Sequence, residues 1–204
     1  MPDPGGITDK RLLRGAKTRQ VVLRHAVDVA SSEGLEGVSF GRLATDTGLS
    51  KAGVQTLFRT KETLQLAAIA YAREMFIEAV TRPARSAPPG VARLRALLEN
   101  WIVYAETPLF AGGCFRAANL ARYDSQPGEI RDALFRDQQD WIGVIAVELR
   151  YAIQAGEIAD LDVDLTAFVI DAVLCATNTA LRLGDTAAVD RARRIIEGFL
   201  VAPQ

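Results

Sequence analysis

The residues with the most evident chemistry in this chain lie close together. Ser50, Lys51, Ala52, Gln55 and Thr56 fall within one short stretch just after Gly48. A glutamine side chain matches the donor and acceptor edge of adenine, while serine, threonine and lysine suit base edges or phosphate oxygens. Such groups on one short helix fit the major groove of DNA, where sequence is read. Ala44, Gly48 and Val54 stand at the spacing a helix-turn-helix needs. They supply a small residue where two helices nearly touch, a glycine in the turn, and a branched apolar residue that locks the second helix onto the first. Leu43, Leu49, Leu57 and Phe58 supply apolar backing. Arg19, Ser39 and Arg42 join the DNA-facing set, and Lys61, at the start of the next helix, is placed to hold a phosphate. His25, the single histidine, stands beside this basic end, as a phosphate neighbour or as a solvated helix position.

Nothing else in the chain assembles a reactive centre. With one histidine, no Ser-His-Asp order, no phosphate-cradling glycine loop and no metal-ligand spacing, neither catalysis nor a cofactor or metal is expected. Cys114 and Cys175 have no CxxC neighbour, so no disulfide framework is indicated and a reducing cytoplasm fits best. Cys114 suits either a redox sensor or a small buried hydrophobe, and packing is the commoner use of a free cysteine.

Helices must position these groups. Thr18 to Glu33 reads as a first helix stopped by Gly34, with residues 1 to 14 as a loose basic arm. Ser39 caps a second, Ser50 to Phe58 forms the third, and Thr60 caps a fourth that runs to about Val80. Pro83, Pro88 and Pro89 make Arg82 to Gly90 the clearest break. Leu94, Leu97, Leu98 and Trp101 mark a fifth helix, Cys114 to Tyr123 a sixth, and the residues after Gly128 up to Gly156 a seventh. Leu165 to Leu183 and Ala187 to Val201 complete the set. The expectation is an all-α protein of about nine helices, with a DNA-binding part over 1–61 and a regulatory and dimerisation part over 62–204.

Charge supports the division. The 204 residues carry a net charge of −1 and a mean hydropathy of +0.09, ample for a full-sized core. Residues 1–61 hold ten bases against six acids, +4, which leaves −5 for the rest. A basic head on an acidic body can touch DNA through one end only. The N-terminus lacks the apolar run of a signal peptide. The most apolar stretch, Ala167 to Ala176, is broken by Asp171 and falls short of the ~20 residues of a membrane span. No membrane association is expected.

The run from Thr18 through GVSFGRLATDTGLSKAGVQTLFRTKETLQLAAI resembles the N-terminal domain of TetR-family transcriptional regulators. It departs from that family at Gln55, where an aromatic residue, most often tyrosine, usually packs on the DNA backbone. FAGGCFRAANLARYD, residues 110–124, resembles one subgroup of the family's regulatory domains, with Ala111 in place of the usual proline. The resemblance implies a homodimer on a pseudo-palindromic DNA operator, usually repressing and released by a small-molecule effector. A helical architectural protein without an effector is the alternative. The resemblance also places the effector within the fourth to seventh helices, with Trp101, Tyr104, Phe110, Cys114, Phe115, Asn119 and Trp141 as candidate contacts, competing with a plain core role. Arg116 hints at an anionic group on an otherwise apolar or aromatic guest. The resemblance further implies that the last two helices dimerise, and Leu165 to Leu183 is apolar nearly all round, as a helix covered on both faces must be. Phe168, Asp171, Ala172, Cys175 and Asn178 are then expected at the interface, Asp171 and Asn178 near its axis, with Arg191, Arg193 and Arg194 answering acids across it.

Overall fold

The computed structural model describes residues 5–202, with side chains from residue 13 onward. Among the described residues the chain is all-α, with nine helices and no strand. Helix α1 spans Gly5–Glu33, α2 Phe40–Thr47, α3 Lys51–Phe58 and α4 Lys61–Phe76. Then come α5, Val91–Glu106, α6, Phe115–Tyr123, and α7, Glu129–Gln154. Helices α8, Val163–Arg182, and α9, Ala188–Glu197, close the fold. A single 3₁₀ turn, Leu35–Gly37, links α1 to α2.

Three boundaries differ by more than two residues from the sequence reading, the simplest being α9, which ends at Glu197 and not at Val201. Residues 5–14 continue α1 instead of forming a loose arm, because no proline interrupts them; residues 1–4 lie outside the described residues. After Phe76, α4 widens into a π-helical turn, Ile77–Thr81, and carries on through Arg82–Ala84. Pro83 is tolerated because it sits in the first turn of that last piece, where its missing N–H leaves no bond unmade. The true break follows Ala84. Gly90 resumes the chain at φ 97°, and carboxylates from the end of the body start the next helix. Gly90 N donates to Glu148 at 2.9 Å and Val91 N to Glu157 at 2.8 Å, placing negative charge at the positive end of α5.

The apolar residues form two cores. One is confined to the body and centres on Leu94, Leu97, Trp101, Ile145, Leu149, Ile170 and Leu174. The other gathers Val22, Leu35, Leu43, Val54, Phe58 and Leu64 from α1 to α4, and also Phe110, Phe115, Tyr123, Ile130 and Leu134 from beyond residue 100. The N-terminal helices therefore share their core with the body. At about 1.5–3 kcal/mol for each large apolar side chain buried, this shared layer holds the head firmly on its support. Helix α9 is tied to α5 by two bidentate pairs, Arg95 to Glu197 at 2.8 and 2.7 Å and Arg193 to Glu99 at 2.8 Å through each nitrogen.

The head and body touch most tightly at Gly112. Its N–H donates to Ser31 Oγ at 2.9 Å, and a Cβ added there would lie 2.1 Å from the Ser31 carbonyl oxygen and 2.3 Å from Ser32 N. Those are backbone atoms near the end of α1, which cannot step aside. Gly112→Ala is expected to destabilise the protein by about 1–3 kcal/mol, the usual cost of overpacking. Thermal unfolding monitored by circular dichroism would show the drop in Tm; an unchanged Tm would mean that this contact is loose.

Candidate nucleic-acid interface and effector core

Helices α2 and α3 form the helix-turn-helix. Ser39 caps α2, its Oγ accepting from Arg42 N at 3.2 Å, and Gly48 closes it in the left-handed conformation at φ 69°. Ser50 caps α3, its Oγ accepting from Gly53 N at 3.0 Å. Ala44 and Val54 are buried where the two helices meet. This leaves Lys51, Ala52, Gly53, Gln55 and Thr56 exposed on one helix surface. The rest of the predicted set has partners inside the head. Arg19 stacks on Phe58, its guanidinium carbon 5.0 Å from the ring centre. Arg42 pairs with Asp46 at 2.9 Å and Glu33 at 3.4 Å, and the hydrogen bond it donates to Asp46, then the charge of Glu33, raises its pKa. Lys61 donates to the Glu36 carbonyl at 2.8 Å, which fixes its stem at the N-terminus of α4. His25 is half-buried on α1.

The exit from α3 is strained. Arg59 has φ 63° and ψ −60°, the only positive φ on a non-glycine among the described residues, and Thr60 N donates to Phe58 O across it at 2.7 Å. That is a γ-turn of the rare, strained kind. It swings the chain sharply from α3 into α4, whose cap Thr60 accepts from Thr63 N at 3.1 Å. Nothing in the residue types announces it.

The seven candidate pocket residues are all buried, but they serve two different places. Tyr104, Cys114 and Trp141 belong to the body core together with Trp101, and Phe76 of α4 meets Tyr104 and Trp141 edge-on at 5.3 and 5.1 Å. Phe110 and Phe115 belong to the core shared with the head. Asn119 is a structural connector. Fully buried, its Oδ1 accepts from Leu35 N at 2.8 Å, while Nδ2 donates to Ala30 O at 3.1 Å and Phe115 O at 2.8 Å. One turn on, Arg122 donates to the Glu33 carbonyl, and from the other side Gln65 donates to Leu35 O at 2.8 Å. Helix α6 is thereby clamped to the end of α1 and to the turn that leads into α2.

Arg116, beside Phe115, is 6% exposed. Its guanidinium lies 5.2 Å from the Phe76 ring centre and 6.0 Å from that of Trp141. Its acidic neighbours are loose, Asp137 at 3.6 Å and Asp171 at 4.0 Å. Burial works against its charge, but Cys114, Asp137 and Asp171 outweigh that and hold its pKa above the ordinary value. Burial pushes the Asp137 carboxyl up despite Arg116 and Arg73. It also pushes the Cys175 thiol up to about 12, helped by Asp171, so Cys175 carries no thiolate near neutral pH. The aromatic residue Phe76 and the acids Asp137 and Asp140 escaped sequence reasoning, since only packing brings α4 and α7 around Arg116.

The dimerisation candidates also divide. Phe168 and Ala172 are exposed and Cys175 is half-buried. Asp171 and Asn178 point inward instead of toward an interface axis: Asp171 accepts from Gln138 at 3.0 Å and faces Arg116, and Asn178 is 7% exposed. Arg193 and Arg191 are used within the subunit, on Glu99 and Asp185, whereas Arg194 is exposed.

An all-helical body that shares its core with a helix-turn-helix head is the build of a DNA-binding regulator. Residues 90–196 match the Tetracyclin repressor-like, C-terminal domain family, and the chain belongs to the TetR family of transcriptional regulators. A TetR transcriptional regulator from Chloroflexus aurantiacus J-10-FL is 26% identical, with a TM-score of 0.83 over 91% of this chain and 95% of that one. AibR, solved with isovaleryl coenzyme A and operator DNA, shares the fold at 19% identity and a TM-score of 0.70, covering 91% and 99% of the two chains. A regulator from Saccharomonospora viridis in complex with choline does so at 20% and 0.75, covering 90% and 95%. No curated protein sequence gives a match.

Replacing Asn119 tests the clamp. Asn119→Ala leaves the buried Leu35 N–H without its acceptor and is expected to cost about 1–3 kcal/mol. Hydrogen exchange should show faster opening at the end of α1 and in the 35–37 turn than in α8; uniform protection would contradict a local clamp.

Proposed function

We propose that this regulator is a homodimeric repressor that reads a pseudo-palindromic operator through α3 and is released by a small molecule bound in the body. The observation that carries the proposal is the outward set on α3, Lys51, Ala52, Gln55 and Thr56, set on a rigid, capped two-helix frame. Ser39, Ser50, Arg42, Lys61 and Arg19 flank it as caps and phosphate-range cations. With a shorter, polar residue at Gln55, α3 relies on hydrogen bonding where an aromatic would stack on the backbone. Residues 1–61 form the DNA-binding part and residues 62–204 the regulatory and dimerisation part.

The dimer reading is supported by α8. By length and composition this helix is apolar enough to cross a membrane, with a mean hydropathy of 1.4 over its most apolar window, although only 39% of that window is buried within the subunit. Its outer surface presents Leu165, Phe168, Ala172, Ala176 and Thr179, spaced three to four residues apart, with Leu183 just beyond its end. Leu165 and Phe168 are 59% and 60% exposed. Ile195 and Arg194 of α9 are exposed as well. A second copy laying the same two helices against these would bury an apolar stripe that is costly to leave in water. Asp171 is held inside the subunit by Gln138, while Asn178 is buried with its side-chain oxygen unpartnered among the described residues.

The effector reading is supported by the aromatic group of Phe76, Tyr104 and Trp141 around α6, and by the ligands carried by AibR and the Saccharomonospora viridis regulator. Helix α6 carries both Arg116, in that group, and Asn119, on α1. An effector that prefers one position of α6 changes the setting of the head, and so the distance between the two recognition helices of a dimer.

Operator binding is checked with the promoter fragment beside the protein's own gene, across a salt series. Lys51→Ala combined with Thr56→Ala should weaken selective binding by about tenfold or more and flatten the salt dependence by about one counterion. Equal binding of all fragments at every salt concentration would favour an architectural role and overturn the repressor.

A further inference from the structure

Arg116 is placed where an ordinary core would hold no charge, and its surroundings leave it only partly answered. Its two carboxylate neighbours stand at 3.6 and 4.0 Å, longer than the ~2.7–2.9 Å of a charge-assisted hydrogen bond. Asp137 is claimed from the other side by Arg73 at 3.3 Å, and Arg73 also binds Asp140 at 2.7 Å. The guanidinium is therefore buried, flanked by Phe76 and Trp141, and short of close acceptors. It forms one wall of a cleft of about 170 Å³ between α4 and α7. Arg85, exposed and in no ion pair among the described residues, stands on the same cleft. So do Ile77 and Thr81, which belong to the π-helical turn, and such turns recur at functional sites.

We infer that this cleft takes a small organic carboxylate with a body about the size of one aromatic ring, its oxygens held between Arg116 and Arg85 and its apolar part against Phe76, Trp141 and Val144. The size follows from the volume: a cavity of about 150 Å³ accommodates benzene. The charge follows from what is already in place: Arg73, Arg85 and Arg116 line the cleft against Asp137 and Asp140, which leaves an excess of positive charge. A cationic guest would find the aromatic faces covered by the Arg116 guanidinium and would have to evict it, adding a buried positive charge. A carboxylate supplies the close acceptors that Arg116 lacks, in the bidentate geometry a guanidinium favours. A larger cleft of about 480 Å³ shares Thr81, Arg85, Asp140 and Val144 with this one and offers room for a longer tail. Binding would draw Arg116 away from Asp137, loosening the hold of α6 on α7 on the same helix whose Asn119 grips α1.

The inference deepens the effector reading and rests on it only for the consequence on DNA; binding is measured apart. Calorimetry and thermal shift with the full chain would use benzoate and phenylacetate, against benzamide and benzyltrimethylammonium. At least one carboxylate should bind, with benzamide at least about tenfold weaker, since a site built around charge rejects the neutral isostere. Arg116→Gln should lower carboxylate affinity at least about tenfold and Arg85→Ala by about threefold, with circular dichroism checking the fold. Should Arg116→Gln fail to fold, Arg85→Ala and the benzamide contrast decide. Binding of neither carboxylate, equal binding of benzamide, an indifferent Arg85→Ala, or preference for the quaternary ammonium would each overturn the inference. Operator binding without any ligand, measured on the same samples, tests the regulator itself, so the two failures stay separate.

Discussion

The head of this protein depends on a junction that the body controls. Asn119 reaches from α6 to both sides of the point where α1 ends, accepting from Leu35 N and donating to Ala30 O, while Gly112 lies so close to Ser31 that no side chain fits between them. The end of a helix leaves unpaired carbonyls, and the start of the next turn leaves unpaired N–H groups. Here the Leu35 N–H is satisfied by Asn119 and the Glu33 carbonyl by Arg122, both more than eighty positions away. The orientation of the helix-turn-helix is therefore a property of the whole chain, and any shift of α6 is felt at α1 directly.

The charge inside the body is the second constraint. A lone buried arginine is expensive, and Arg116 is accommodated by spreading the compensation over Asp137, Asp171 and two aromatic faces without a tight pair. This arrangement keeps α4, α6, α7 and α8 in register, since each contributes a group to it. It also leaves the guanidinium without a close acceptor among the described residues.

The outer surface of α8 follows from the same centre. Asp171 turns in to meet Arg116 and Gln138, which fixes the rotation of the helix about its axis and leaves Leu165, Phe168 and Ala172 facing out. The polar residue buried within an apolar helix thus decides which apolar residues remain uncovered. Arg59, in its strained turn, plays the corresponding part in the head, where the angle between α3 and α4 sets how far the exposed groups of α3 stand from the body.

The helices, the turn at Gly48, the caps Ser39 and Thr60, and the helix-turn-helix itself were legible in the sequence, because each depends on residues within one or two turns of one another. Periodicity and capping are local physics, and local physics is written in consecutive residues. What escaped depended on distance along the chain. The inward turn of Asp171 and Asn178, the use of Asn119 as a clamp instead of a ligand contact, and the gathering of Phe76, Asp137 and Asp171 around Arg116 needed elements up to about a hundred residues apart to pack. The continuation of α1 before Lys17 and of α4 past Pro83 was missed for a smaller reason: helix ends depend on which competing conformation the neighbours permit. From its sequence alone the chain is an all-helical TetR-family regulator with a helix-turn-helix head; only the tertiary structure decided which buried polar groups join that head to the body and which face of α8 is left uncovered, because a side chain's partner is chosen by packing and not by its place in the sequence.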